Sequence, residues 1–274
     1  MGFKYFDVHS HVFSKDFDED RDAVLLRMAE QEVGTITVGV DIKTSLEAVS
    51  FAEKHPDFYA TIGLHPTDTV TETFDEHLYE KMVSHPKVVG IGECGLDYFR
   101  LPPFAKASGG DPAAEKRRQR VEFEKQIAFA KKYNKPLMLH CRPSKGTMDA
   151  YEDALDILEP AVRRSGGNLK GNAHFFVGDI PIAKRFYELG FTTSYTGVLT
   201  FAREYDEVVR YAPLDLLLTE TDSPYAAPTP HRGKRNEPSY VKHVVAAIAR
   251  IRGADEEAVR SQIAENTRRA FAIS

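Results

Sequence analysis

The sequence predicts an α/β protein, an eight-stranded (β/α)8 TIM barrel filling one domain over residues 1–274, with an extra C-terminal helix. Three observations lead there. Eight apolar runs of strand length recur along the chain, helical stretches or long connections separate them, and histidines and acids gather where the runs end. Strands that alternate with helices specify a parallel sheet, and eight such units close one into a barrel. The length agrees, since barrels of this kind reach roughly 250 residues as one domain. A doubly wound open sheet is the competing topology.

The first run, KYFDVHSH (4–11), alternates polar and apolar residues. On a strand of period two, Asp7, His9 and His11 share one face. TITVGV (35–40) and FYATIGLHP (58–66) follow, and Thr44–Glu47 and Thr73–Glu76 have the spacing of capping boxes at helix starts. VVGIGECG (88–95) is the fourth run. A long Pro-, Gly- and Ala-rich loop after Arg100 (101–115) leads into a basic helix, with Asp111 and Pro112 suited to its N-cap and first turn. PLMLHCR (136–142), NAHFFV (172–177), FTTSYTGV (191–198) and LDLLLTETD (214–222) complete the set, and Asp179 before Ile180-Pro181 signals another helix start. From Pro238 to Phe271 the pattern reads as two helices punctuated by Gly253.

Composition bounds the function. Hydrophobic residues make up 42% and charged residues 28%, as in ordinary globular proteins. The apolar runs are far shorter than a membrane span. No basic segment followed by an apolar run opens the chain, and the two cysteines, Cys94 and Cys141, have no metal-binding spacing. A reducing, cytoplasmic location is therefore expected. At a net charge of −5 the whole-molecule field does not attract nucleic acid, so local cations or metal ions must hold any anionic substrate. Gly90, Gly92 and Gly95 have dinucleotide-turn spacing, with Glu115 twenty residues beyond Gly95. That turn needs a helix to begin at once, whereas LDYFRLPP follows, so no nicotinamide cofactor is expected.

The polar residues at the strand ends carry the chemistry. His9 and His11 end the first run, His65 the third, Glu93 the fourth and His140 the fifth. His174 lies in the sixth, and Asp222 closes the eighth. In a parallel barrel these ends converge on one site. His55, His77, His85, His231 and His243 fall in helices or loops and read as surface residues. Four of these five imidazoles with the two carboxylates suit Zn²⁺ or Mn²⁺, and hold two ions if one carboxylate bridges. Asp7, a step deeper, is expected to orient a ligand rather than to be one.

With these residues placed, the chain resembles the TatD family of metal-dependent hydrolases, among the amidohydrolase-like barrels. DVHSH, GLHP, IGECGLDYFR, LHCR, ETDSPY and RGKRNEP stand in the family's order, and NTRRAF is similar to its C-terminal signature. The resemblance implies a dinuclear site and phosphodiester hydrolysis, chiefly exonucleolytic attack on DNA. It implies one ion on His9, His11, Glu93 and Asp222, and a second on Glu93, His140 and His174, with Glu93 bridging. Asp222, Glu93 and His65 then act in catalysis, Asp222 accepting the proton of water. His65 and Arg142 face the substrate phosphate. Arg232, Gly233 and Arg235 lie in a motif that braces the loop after the eighth strand, where Arg232 and Arg235 are also candidates for substrate binding. Two features depart from the family: FFVG follows His174 of the sixth run, where the family commonly has Cys, Phe, Ser and Gly, and the loop after GLDYFR is longer. The family is often magnesium-dependent, while the nitrogen ligands here favour softer ions, so Zn, Mn and Mg all stay open.

The expected activity is thus metal-dependent hydrolysis of nucleic acid, deoxyribonuclease-like and directed at single-stranded DNA ends, by a monomer or weak oligomer away from membranes. Arg100, Lys116, Arg117, Arg118, Lys145 and Arg203 are candidates for tracking a phosphate backbone, and Tyr98 and Phe99 for stacking bases. Lys116–Arg120 reads equally as a solvated helix face. A second reading keeps the site and changes the bond to an ester or amide, such as an aminoacyl-tRNA linkage. A third is a non-catalytic, metal-stabilised binding protein, against which the joint presence of Glu93 and Asp222 speaks.

Overall fold

The structure, a computed structural model, describes residues 2–101 and 111–273. The strands are β1 (Tyr5–Ser10), β2 (Val33–Val38), β3 (Phe58–Ile62), β4 (Val88–Asp97), β5 (Leu137–Arg142), β6 (Gly171–Ala173), β7 (Thr192–Tyr195) and β8 (Leu217–Thr219). They pair in chain order, every neighbouring pair parallel. Just beyond β8 the ring is nearly closed: Asp222 N donates to His9 O at 2.9 Å and His11 N to Ser223 O at 2.8 Å. The expected barrel is the observed one.

Its outer layer holds α1 (Arg21–Glu30), α2 (Ile42–Ala52), α3 (Glu76–Val83), α4 (Pro112–Tyr133), α5 (Asp149–Arg164), α6 (Ile180–Glu188), α7 (Asp206–Tyr211), α8 (Val241–Arg252) and α9 (Glu256–Phe271). Among the described residues no helix is long and apolar enough to cross a membrane. Asp111 and Asp179 cap α4 and α6 as expected, accepting Ala113 N at 2.9 Å and Ile182 N at 3.0 Å. Two other starts differ. Asp41, not Thr44, caps α2: its carboxylate accepts Thr44 N at 2.6 Å, while the Thr44 hydroxyl accepts Asp41 N at 3.0 Å. Asp75 caps α3 by accepting His77 N at 3.0 Å. In both places an aspartate near the expected threonine supplies the stronger acceptor for the free N–H groups. Because α4 begins at Pro112, the loop expected over 101–115 ends at Asp111; residues 102–110 of it lie outside the described residues.

Two apolar cores result. The larger lies between sheet and helices and is built around Tyr79, Tyr151, Phe123, Phe129 and Phe186. The smaller joins Phe6 and Val8 of β1, Ile36 and Val38 of β2, Met138 of β5 and Leu218 of β8. Since β2 and β5 are not neighbours, side chains that meet from both fill the barrel's interior. Phe271, the last residue of α9, and Ile273 just beyond it join this cluster, so the expected extra helix serves the barrel floor. The polar residues occupy the other end.

Candidate metal centre

Two strands slip register just where they deliver site residues. Along β1–β2, Asp7 pairs with Thr35 but Ser10 with Thr37. Thr35 and Thr37 share a face, so Asp7 and Ser10, three apart, share it too, and His9 and His11 take the opposite one. The expectation that Asp7 lies with the histidines is therefore corrected: one extra residue in β1 turns it away. Asp7 instead ties β1 to the chain after β8, accepting His9 N at 3.2 Å, Thr221 N at 2.8 Å and the Thr221 hydroxyl. It orients backbone on both sides of the seam.

In β4 the slip falls between Ile91 and Cys94, around Glu93. The glycines with dinucleotide-turn spacing explain it. Gly92 and Gly95 have φ of 142° and 141°, and a Cβ on them would lie 2.3 Å from Met138 O and 2.1 Å from His140 O. Only glycine allows β4 to approach β5 so closely in that conformation. Cys94 pairs across to Leu139 and faces the outer core, as expected; both cysteines are buried, and burial pushes the Cys141 thiol up to about 12.

Glu93 stands at the centre of the expected residues. Its Oε2 lies 3.4 Å from His9 Nε2, and Asp222 Oδ1 lies 3.7 Å from the same nitrogen and 3.6 Å from His11 Nε2. Its Oε1 lies 2.7 Å from His140 Nδ1, 3.0 Å from His174 Nε2 and 3.4 Å from His65 Nε2. One carboxylate thus presents each oxygen to a separate group of imidazoles. Burial raises the Glu93 pKa, but His174, His65 and His9 outweigh it and hold the carboxyl well below its usual range. Burial also lowers His174, yet Glu93 and Glu220 more than reverse this, so its imidazole sits well above the usual value.

Two residues inside the quoted motifs went unread at the sequence level. Asp97 Oδ2 lies 3.1 Å from His140 Nε2, and Gln119 clasps the Asp97 backbone at N and O. Glu220 Oε1 lies 3.2 Å from His174 Nδ1 and accepts Phe175 N at 2.7 Å, while its second oxygen accepts the Ser194 hydroxyl. The available signal was spacing: Asp97 is four residues beyond Glu93 and Glu220 two before Asp222. Each holds the nitrogen of a histidine that faces away from Glu93, which fixes ring orientation and tautomer.

The donor set fits a divalent metal. His9 is fully buried, its ring stacks on His174 at 3.9 Å, and among the described residues neither of its nitrogens has a hydrogen-bond partner. A buried imidazole nitrogen facing two carboxylates without such a bond is costly unless it ligates a cation. Three geometric groupings come close enough to hold an ion: His9 with His11 and Glu93, His65 with Glu93 and His140, and His9 with His174 and Glu220. Glu220 already accepts three hydrogen bonds and so fits the last group poorly. His65 Nδ1 accepts Thr67 N at 3.2 Å, which leaves its proton on Nε2, the atom toward Glu93.

A cleft of about 990 Å³ opens over these groups and is lined by Arg142, Arg100, Lys15 and Lys43 as well as by His65, Glu93 and Asp222. The structure therefore brings Arg142 to the site but not the other two arginines. Arg235 binds Asp20 at 2.7 Å and Asp16 O at 2.7 Å, and Arg232 stacks on Phe201 at 3.5 Å, both outside the cleft lining. Arg235 braces the loop after β8, the other role expected of it. The basic face of α4 is also spent locally: Lys116 pairs with Asp149, Arg117 with Asp111, Arg118 with Glu115 and Arg120 with Glu124. Arg203 pairs with Asp206, Lys145 is exposed, and Tyr98 is buried with its hydroxyl donating to Asp153 at 2.8 Å.

A family model described as TatD related DNase matches residues 6–272. This chain belongs to the TatD family. The TatD relatives include a metal-dependent hydrolase, YabD, from Bacillus subtilis, 37% identical over 98% of this chain and 99% of its own length. A 3′-5′ ssDNA/RNA exonuclease TatD from Erwinia tasmaniensis is 33% identical over 97% of this chain and 99% of its own length. Among solved structures, the TatD homologue YJJV of Escherichia coli superposes with a TM-score of 0.86 at 26% identity, covering both chains fully. Membership in the TatD family agrees with the barrel and with the cluster at its carboxyl end.

Proposed function

We propose that this TatD-family protein is a hydrolase that uses two divalent ions to cleave phosphodiester bonds at single-stranded nucleic-acid ends. The observation that carries the reading is the split around Glu93, whose two oxygens face different imidazole groups, the arrangement a bridging carboxylate needs. His9, His11 and Asp222 would hold one ion with Glu93, and His140 and His174 the other. The ions, once bound, supply Lewis acidity: they neutralise charge gathering on the phosphoryl oxygens and acidify water. Zn²⁺ and Mn²⁺ suit this nitrogen-rich set better than Mg²⁺. The relatives named as exonucleases support the choice of bond.

The protein's own groups do the rest. Asp222 stands at the cleft with its side chain 15% exposed, so it can take a proton from attacking water. His65, carrying its proton on Nε2, donates toward the oxygen of the scissile group. The Arg142 guanidinium lines the same cleft and pairs with a phosphate oxygen. The test is shortening of 3′-labelled single-stranded DNA by purified protein with Mn²⁺, Zn²⁺ or Mg²⁺, stopped by chelation, together with metal analysis giving about two ions per chain. Hydrolysis of aminoacyl esters or small amides in place of oligonucleotides would overturn it.

A further inference from the structure

Among the described residues four large aromatic side chains are exposed: Phe99, Phe201, Tyr211 and Tyr225, from 40% to 60%. Tyr211 ends α7. The other three stand at the carboxyl end of the barrel, after β4, β7 and β8 respectively. Tyr225 lines the cleft, its ring 6.4 Å from that of His11. Phe99 lies beside the cleft with the Arg142 guanidinium 4.2 Å from its ring centre, and Phe201 carries Arg232 in the same way at 3.5 Å. Single exposed apolar residues need no explanation. These three share one end of the molecule, and two of them hold arginines that, among the described residues, have no carboxylate partner. Arg117, Arg118, Arg120, Arg203 and Arg235 all have one.

We propose that Tyr225 in the cleft wall and Phe99 beside the cleft are nucleobase platforms, and that Phe201 with Arg232 extends the track beyond it. The inference deepens the hydrolytic reading above and rests on it for the class of ligand. A planar guanidinium stacked on an aromatic ring keeps its N–H edge free for phosphate, while the exposed ring accepts a base. The pairing of one cation with one stacking surface repeats the alternation of phosphate and base along a strand. Bases inside a duplex have both faces covered, so such platforms favour single strands. With net charge −5 the attraction must be local, and Arg142 and Arg232 bring positive charge to this end of the molecule, beside Lys15, Lys43 and Arg100 of the cleft.

The test measures binding by full-length, metal-free protein, using fluorescence anisotropy with a labelled oligothymidylate, an abasic phosphodiester of equal length and a blunt duplex. Wild-type protein binds oligothymidylate at least about tenfold more tightly than either competitor. Phe99→Ala and Tyr225→Ala each weaken oligothymidylate binding roughly 5- to 100-fold and narrow the preference over the abasic strand. Phe99→Trp restores it. Equal wild-type binding of all three probes overturns the proposal, as does a loss in the variants that is the same for abasic and base-bearing strands. A wild-type preference, lost in the variants, without hydrolysis of any oligonucleotide supports the platforms and overturns the hydrolytic reading alone. Hydrolysis without the preference does the reverse.

Discussion

Glu220 Oε1 lies 3.2 Å from His174 Nδ1 and also accepts the backbone N–H of Phe175 at 2.7 Å. Phe175 has φ of 45°, so the same carboxylate that orients the imidazole pins an unfavourable backbone turn beside it. Glu220→Gln keeps the shape and removes the charge. Metal affinity should fall about 10- to 100-fold, read by competition with a chromophoric chelator. Unchanged affinity would show that His174 needs no such partner.

Asp222 shares its nearest contacts with His9 and His11. Asp222→Asn should lower turnover of single-stranded DNA by about 10²- to 10⁴-fold while the circular dichroism spectrum stays that of the parent. Retained turnover would remove Asp222 from the chemistry.

Gly95 meets β5 with no room to spare, its Cβ position 2.1 Å from His140 O. Gly95→Ala should cost about 1–3 kcal/mol from overpacking alone, with left-handed backbone strain added to it. Urea unfolding of the variant checks this, and a midpoint equal to the parent's would contradict the close approach.

Metal-free protein should be stabilised by the ions it binds. Adding Mn²⁺ or Zn²⁺ at a hundredfold excess over Kd should raise unfolding free energy by about 2.7 kcal/mol per site, visible as a higher Tm. Replacing His9 by Ala should abolish the rise for the ion it helps to hold.

Asp68 lines the cleft 3.9 Å from His65, and burial, with Asp41, Glu72 and Glu93 around it and Arg100 opposing, pushes its pKa from 3.8 up to about 6. The folded protein binds this proton more tightly than the unfolded chain does. Its contribution to stability is therefore full below pH 3.8 and is lost as pH rises to about 6. The side chain is 42% exposed, so the loss should stay below about 1 kcal/mol. Across this window metal-free Asp68→Asn should gain stability relative to the parent as pH rises, by less than about 1 kcal/mol, and a constant difference between the two unfolding free energies would contradict the raised pKa.

The sequence by itself determined the barrel and the cluster of histidines and acids at its carboxyl end. Both follow from local properties: apolar runs of strand length, helical spacing between them, and polar residues where each run stops. It also placed Cys94 away from the cluster, because adjacent strand residues point to opposite faces, whereas Cys141, buried likewise, still borders the cleft. Other features had no local signal. Asp7 leaves the face of His9 and His11 through a one-residue slip that β2 sets, and a slip of one reverses every side chain beyond it. The glycines around Glu93 acquire their purpose from the carbonyls of β5 that press against them. Arg235 and the basic face of α4 leave the substrate side because partners distant in sequence or on the same helix claim them. Asp97 and Glu220 became legible only beside the rings they hold. Period and composition act within a strand, whereas register and pairing act between strands, so only the closed barrel decided how these residues meet.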